Sequence, residues 1–162
     1  MLIYVGNPLL KQIAMLKKAE INELKVALTW PENAAEFRLW FGDKVRYGSP
    51  AEAIWQQIKG NERGAFGFYQ EGELVGFAQA YEKVENGIHI ACLIVNPKVR
   101  GKGLGRLFVK ALLGNAWAQQ QTRFITLNVY PENTPARSLY KDLGFHVVGE
   151  NNGMVAMRLE KE

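Results

Sequence analysis

Cysteine appears once in the 162 residues, at Cys92, and histidine only twice. One thiol cannot build an internal disulfide framework and excludes a cysteine-rich zinc site. Two histidines leave any metal centre dependent on carboxylates, and their spacing shows no ligand pattern, so no metal is expected. Long apolar runs are also missing: nothing approaches the roughly 18 residues of a spanning helix, and no membrane partner is expected. The opening Met1-Leu2-Ile3-Tyr4-Val5-Gly6-Asn7-Pro8 has no basic region followed by an extended apolar stretch, so no signal peptide is expected and a cytoplasmic protein is the reading. Internal repeats and low-complexity segments are absent.

What is present suits one compact domain. Hydrophobic residues make up 48% and charged residues 22% of the chain, enough for a real core and too apolar for wholesale disorder. A single domain over 1–162 is expected, with residues 1 to about 20 a poorly defined lead-in. The formal net charge is +4, so the placement of the basic residues decides whether a polyanion is attracted.

Periodicity predicts the elements. Leu24 to Trp30 reads as a first strand stopped by Pro31. A helix follows from about Glu32, and another starts at Ser49-Pro50, with Ser49 as cap and Gly60 as stop. Ala65 to Gln70 and Glu73 to Tyr81 read as a hairpin. Ile88 to Val95 is apolar except at His89, so it should be a central strand buried on both faces. Leu104, Leu107, Phe108, Ala111 and Leu112 share one helical face. Arg123 to Val129 is a strand, Thr134-Pro135 opens a short helix ending at Gly144, and a hairpin turns at Asn151-Asn152-Gly153. The order predicts an α/β fold: a mixed central sheet of about seven strands with helices on both faces.

Chemistry concentrates between Val95 and Arg106. A buried strand runs through Arg100-Gly101-Lys102-Gly103-Leu104-Gly105-Arg106 into an amphipathic helix. Glycines let the backbone close on a ligand, and unpaired N–H groups at a helix start favour an anion. The spacing fits neither a P-loop, which needs Gly-Lys-Ser/Thr, nor the G-x-G-x-x-G dinucleotide fingerprint. The same basic residues, with Lys98 and Lys110, would form a stripe for nucleic acid. That reading needs interleaved exposed aromatics, and the stretch holds only Phe108, on the apolar face, so no nucleic-acid partner is expected.

Arg100-Gly101-Lys102-Gly103-Leu104-Gly105 resembles the R/Q-x-x-G-x-G/A signature of the GNAT acetyltransferases. Asn133, Ala136, Leu139-Tyr140 and Leu143-Gly144-Phe145 are similar to the family's N-x-x-A-x-x-L-Y-x-x-x-G-F pattern. The resemblance implies a single-domain fold with splayed central strands and acetyl-coenzyme A as co-substrate. It implies pantetheine along the backbone of Leu93, Ile94 and Val95. The pyrophosphate would lie on the N–H groups of Gly101, Lys102, Gly103, Leu104, Gly105 and Arg106, with Arg100 adding charge and Asn133 contacting the cofactor from the other side. Tyr140 matches the family tyrosine that protonates the departing thiolate. A phenol stays protonated at neutral pH and can donate to sulfur.

Histone-type members carry a glutamate six residues before the position of Val95, which here is His89. An imidazole suits a general base, and strand alternation would put it on one face with Ala91, Leu93 and Val95. Members acetylating the N-terminal alanine of ribosomal proteins carry a glutamate at the position of Asn128; an amide cannot take a proton, which weighs against that acceptor. The implied reaction is acetyl transfer to a primary amine of a small molecule or peptide by direct attack in a ternary complex. A catalytically inactive acyl-CoA-binding or sensing domain is the alternative. Trp30 and Trp40 are candidate acceptor contacts, and the protein is expected to be a monomer or homodimer.

Overall fold

A computed structural model describes residues 2–5 and 12–162, with side chains from residue 14 onward. Residues 1 and 6–11 of the expected lead-in lie outside the described residues. The rest of that segment forms two antiparallel strands, β1 (Leu2–Val5) and β2 (Gln12–Ala19), rather than an irregular lead-in. The expected first strand at Leu24 to Trp30 is instead a helix, α1 (Ile21–Ala27), and the turn after it. The Glu23 carboxylate accepts the Glu20 N–H at 2.7 Å, which satisfies a donor at the helix start. Leu24 and Ala27 are buried three residues apart while Val26 is exposed, a helical period inside a β-prone composition.

Helix α2 (Ala34–Phe41) begins at Asn33, whose side chain accepts the Glu36 N–H. Helix α3 (Ala51–Gln57) is capped by Pro50 without a side-chain bond, so Ser49 is not its cap. Gly60 opens the short α4 (Gly60–Arg63) instead of stopping α3. Its glycine has a packing reason: a Cβ there would lie 2.2 Å from the Trp55 ring.

The remaining elements are β3 (Ala65–Gln70), β4 (Glu73–Val84), β5 (Gly87–Val95), α5 (Leu104–Trp117), β6 (Phe124–Val129), α6 (Thr134–Asp142), β7 (His146–Asn151) and β8 (Met154–Glu160). They complete an eight-stranded mixed sheet in the order β1-β2-β3-β4-β5-β6-β8-β7, in which β5 and β6 are the parallel pair. One core, with Ile88, Ile90, Phe108, Leu112, Ile125 and Leu127, lies against α5 and α6. A second, with Leu24, Phe37, Trp55, Phe77 and Ile94, lies under α1 to α3 on the other face. Strand β5 therefore contributes to both cores, as its apolar run predicts.

Two irregularities in β5 position the site. Its pairing with β6 runs from Gly87↔Phe124 to Ile90↔Leu127 and stops, although β5 continues to Val95 and β6 to Val129. The two strands splay beyond that point. On the other side, Phe77↔Ile94 and Gln79↔Ala91 set two steps of β4 against three of β5. The extra residue is a β-bulge at Cys92, whose φ is 54°.

Candidate active site

The splay between β5 and β6 opens a cleft of about 340 Å³. Leu93 and Val95 line it from β5, Leu127 and Asn128 from β6, and Asn133 and Tyr140 from the start and body of α6. Trp40 and Glu36 of α2 close it from the opposite side. Beyond Ile90 the edge of β5 that faces β6 has no strand partner, which leaves backbone donors and acceptors for an extended ligand.

The glycine-rich loop stands next to this opening. After Asn96 a 3-10 turn (Pro97–Val99) carries the chain to Gly101 and Gly103, both at φ +79°. Gly103 is the left-handed N-cap of α5, a conformation that glycine adopts without a Cβ penalty. The first bond into the helix is Leu107 N–H to Gly103 O at 3.3 Å, so the N–H groups of Leu104, Gly105 and Arg106 have no intrahelical acceptor. Nothing lies within 4 Å of a Cβ built on Gly101 or Gly103. A Cβ on Gly105 would meet only Leu139 and Val95, each at 4.0 Å, both of them cleft residues. The mouth is thus open, bordered by helix-start N–H groups, and floored by small residues.

The basic side chains differ in their engagement. The Arg100 Nε donates to Val95 O at 3.3 Å, and its guanidinium lies 5.4 Å from the centre of the Trp40 ring, so Arg100 lines the cleft itself. Arg106 donates to the Asp142 carboxylate at 3.2 Å on the surface. Lys102 is exposed. Ile94 and Leu104 point into the cores, at 1% and 2% exposure, so only their backbone groups are available to a ligand.

Tyr140 is buried against Phe145, ring edge to face at 5.9 Å, and burial pushes its phenol up to about 12. Cys92 lines the cleft at the bulge, where burial pushes its thiol up to about 12, and its Sγ faces Gln79 Oε1 at 3.8 Å. No sequence signal marks Cys92, because bulges leave little trace in one sequence. Glu36 also lines the cleft, and its carboxylate accepts the Glu32 N–H at 2.8 Å.

His89 departs from the alternation argument. Ile88 and Ile90 pack with Leu93 and Val95 in the first core, whereas Cys92 and Ile94 join the second. The bulge reverses the phase, so His89 does not share a face with Leu93 and Val95. It pairs with Thr126, whose Oγ1 lies 2.8 Å from its Nδ1, and it meets Tyr81 edge to face. Burial first, then the charges of Lys83 and Arg63, push its imidazole down to about 4. His89 is 5% exposed and does not line the cleft. Trp30 does not reach the cleft either: it is 7% exposed within the second core. Of the two tryptophans expected at the acceptor, only Trp40 lines it.

Among the described residues no helix is long and apolar enough to cross a membrane, and no group of three or more potential ligands is placed to hold a metal.

Comparison with known proteins converges on one family. A 5-NmdU N-acetyltransferase of Pseudomonas phage PaMx11 is 39% identical over 93 residues, 57% of this chain and 64% of that protein. The peptidyl-lysine N-acetyltransferase YjaB of Escherichia coli K12 is 32% identical over 118 residues, 73% of this chain and 66% of that protein. The matched region spans just under two thirds of each relative. Among solved structures, AAC(6')-Ib in complex with ribostamycin and coenzyme A superposes with a TM-score of 0.76 at 21% identity, covering 91% of this chain and 93% of the other. The spermidine N-acetyltransferase of Vibrio cholerae, in complex with CoA and spermine, gives 0.70 at 18% identity, with coverage of 90% and 92%. At these identities the structures establish the fold. Residues 27–145 match the sequence model of the Acetyltransferase (GNAT) family, and with the splayed strands and glycine-rich helix start this makes the chain a member of that family.

Proposed function

We propose that the protein transfers the acetyl group of acetyl-coenzyme A to a primary amine in a ternary complex. The observation that carries this reading is the alignment of three features along one path. The helix-start N–H groups stand at the mouth, the unpaired edge of β5 runs along the cleft, and Tyr140 lines it. A diphosphate, an extended amide-bearing arm and a thioester need these features in that order. The relatives' names point the same way, since both are N-acetyltransferases.

In this reading the pyrophosphate rests on the backbone from Gly101 to Arg106, Arg100 adds charge, and Asn133 borders the cofactor from α6. The pantetheine amides pair with backbone groups of Leu93 to Val95. The amine nitrogen attacks the thioester carbonyl, the C–N bond forms, and the C–S bond breaks as electrons return to sulfur. Overall one N–H proton ends on the thiol.

Tyr140 donates to the sulfur. Its phenol near 12 is fully protonated at neutral pH. A thiol ionises near ~8.5, so complete transfer from the phenol would be uphill by on the order of 5 kcal/mol. The hydroxyl therefore acts as a hydrogen-bond donor to the developing thiolate rather than as the final proton source.

His89 is not assigned the base role expected from the sequence. It is buried outside the cleft and holds its proton too weakly, since a base is effective with a pKa near the working pH. The amine is taken up unprotonated, or loses its proton to water at the cleft. Free-thiol release with a panel of primary amines tests the reading. Thiol release that depends on an amine supports it; tight acetyl-CoA binding without release on any amine replaces it with an acyl-CoA sensor.

A further inference from the structure

A second recess, of about 250 Å³, adjoins the cleft at β6. Asn128 lines both, so the recess meets the cleft at the splayed end of β6. The turn after α2 supplies Asp43 and Lys44, the end of β4 supplies Lys83, and the end of β7 with the turn after it supplies Asn151 and Asn152. The volume lies below the ~300–1,000 Å³ typical of drug-sized ligands, which suits a small acceptor.

The charge of this wall is unbalanced. Its one carboxylate, Asp43, is already engaged: Arg38 Nε donates to it at 2.7 Å. The same guanidinium donates to Glu132 at 2.8 Å and lies 4.0 Å over the Tyr130 ring. Lys44 and Lys83 are exposed and have no ion-pair partner among the described residues. The three asparagines supply amide N–H donors without charge. The recess therefore offers two unneutralised ammonium groups and several donors, and no unpaired carboxylate to hold a second cationic centre.

We infer that the recess binds an anionic group on the acceptor, so that the substrate is a small primary amine carrying a carboxylate or phosphate rather than a polyamine. This rests on the acetyl-transfer reading. The amine passes Asn128 to reach the thioester while its anionic end stays between Lys44 and Lys83. The attraction is exposed and therefore screened by salt.

The test uses two four-carbon amines that differ at the far end and one two-carbon amine that ends in a phosphate. Thiol release is measured with 4-aminobutanoate and with 1,4-diaminobutane, and O-phosphoethanolamine forms the phosphate arm. The expected result is that kcat/KM for at least one anionic amine exceeds that for the diamine by about tenfold at low salt, narrowing as salt rises. The Lys44→Glu/Lys83→Glu double variant should reverse the order while acetyl-CoA affinity, read by calorimetry, stays unchanged. The better of the two anionic arms identifies the carboxylate or the phosphate. A diamine preference in the native protein overturns the inference, as does an order that survives the double variant. So does silence from all three amines in a protein that binds acetyl-CoA; these results leave the cofactor assignment standing. Failure of acetyl-CoA itself to bind withdraws the acetyl-transfer reading and this inference together.

Discussion

Tyr140 and His89 are both buried rings, and burial moves their acidities in opposite directions: the phenol rises to about 12 and the imidazole falls to about 4. Each group is thereby held neutral, which makes Tyr140 a donor over the whole physiological range and His89 a poor base. Tyr140→Phe keeps the ring against Phe145 and removes only the hydroxyl. It should lower kcat by about 10²-fold, the cost of one transition-state donor, while acetyl-CoA affinity barely moves; steady-state thiol release and calorimetry check both. The His89 shift has a consequence for stability. The unfolded imidazole takes a proton near 6.5 and the folded one near 4, so the unfolded state binds more protons between those values. Stability attributable to His89 is complete above pH 6.5 and is lost as the pH falls toward 4, by about 3 kcal/mol in total. Urea unfolding of the native protein should show this loss between pH 7 and 4.5, and His89→Gln should lack that component. The same variant should keep any rate limb between pH 6 and 8, which on this account follows the acceptor amine. Disappearance of such a limb would restore His89 as the base.

At the scale of elements, the proposed reading rests on the bulge in β5 and the start of α5. The bulge was not legible. Alternation alone put His89 on the face of Leu93 and Val95, and one extra residue at Cys92 reverses that phase. Leu24 to Trp30 hides its helix because β-prone composition outweighs the three-residue spacing of Leu24 and Ala27 that burial reveals. The loop was legible because its residues have local geometric causes, with Gly101 and Gly103 both at φ +79°. Gly105 is different. Its backbone is ordinary, and a Cβ there meets only Leu139 and Val95 at 4.0 Å. Gly105→Ala should leave the unligated protein as stable as before, or stabilise it by up to about 1 kcal/mol as a helical substitution. The added methyl group points at two cleft residues beside the path of the cofactor, so acetyl-CoA affinity should fall at least about tenfold. Thermal unfolding with calorimetry separates the two effects. An unchanged affinity would move the cofactor away from the start of α5.

For the whole molecule, the strand order and the two cores follow from a β5 that is apolar on both faces and a sheet flanked by two helix layers. Family membership was readable from two motifs, Arg100 to Gly105 and Asn133 to Phe145, because their residues are fixed by backbone conformation and close packing. Acceptor chemistry was not readable that way. On the inference above it depends on the Asp43-Lys44 turn, Lys83 and Asn128, three places distant in sequence that the fold brings to one recess. Trp30 illustrates the same limit: its type suits a cation, and its position buries it in the second core. The central claim is that acetyl-coenzyme A occupies the splay between β5 and β6. The direct measurement is a calorimetric titration of the native chain with acetyl-CoA, repeated with desulfo-CoA and with Gly105→Ala. The account predicts one site per chain, retained binding of the thiol-free analogue through its diphosphate and pantetheine arm, and a weaker site in the variant. Absence of saturable binding by either ligand to the native, folded protein would contradict it.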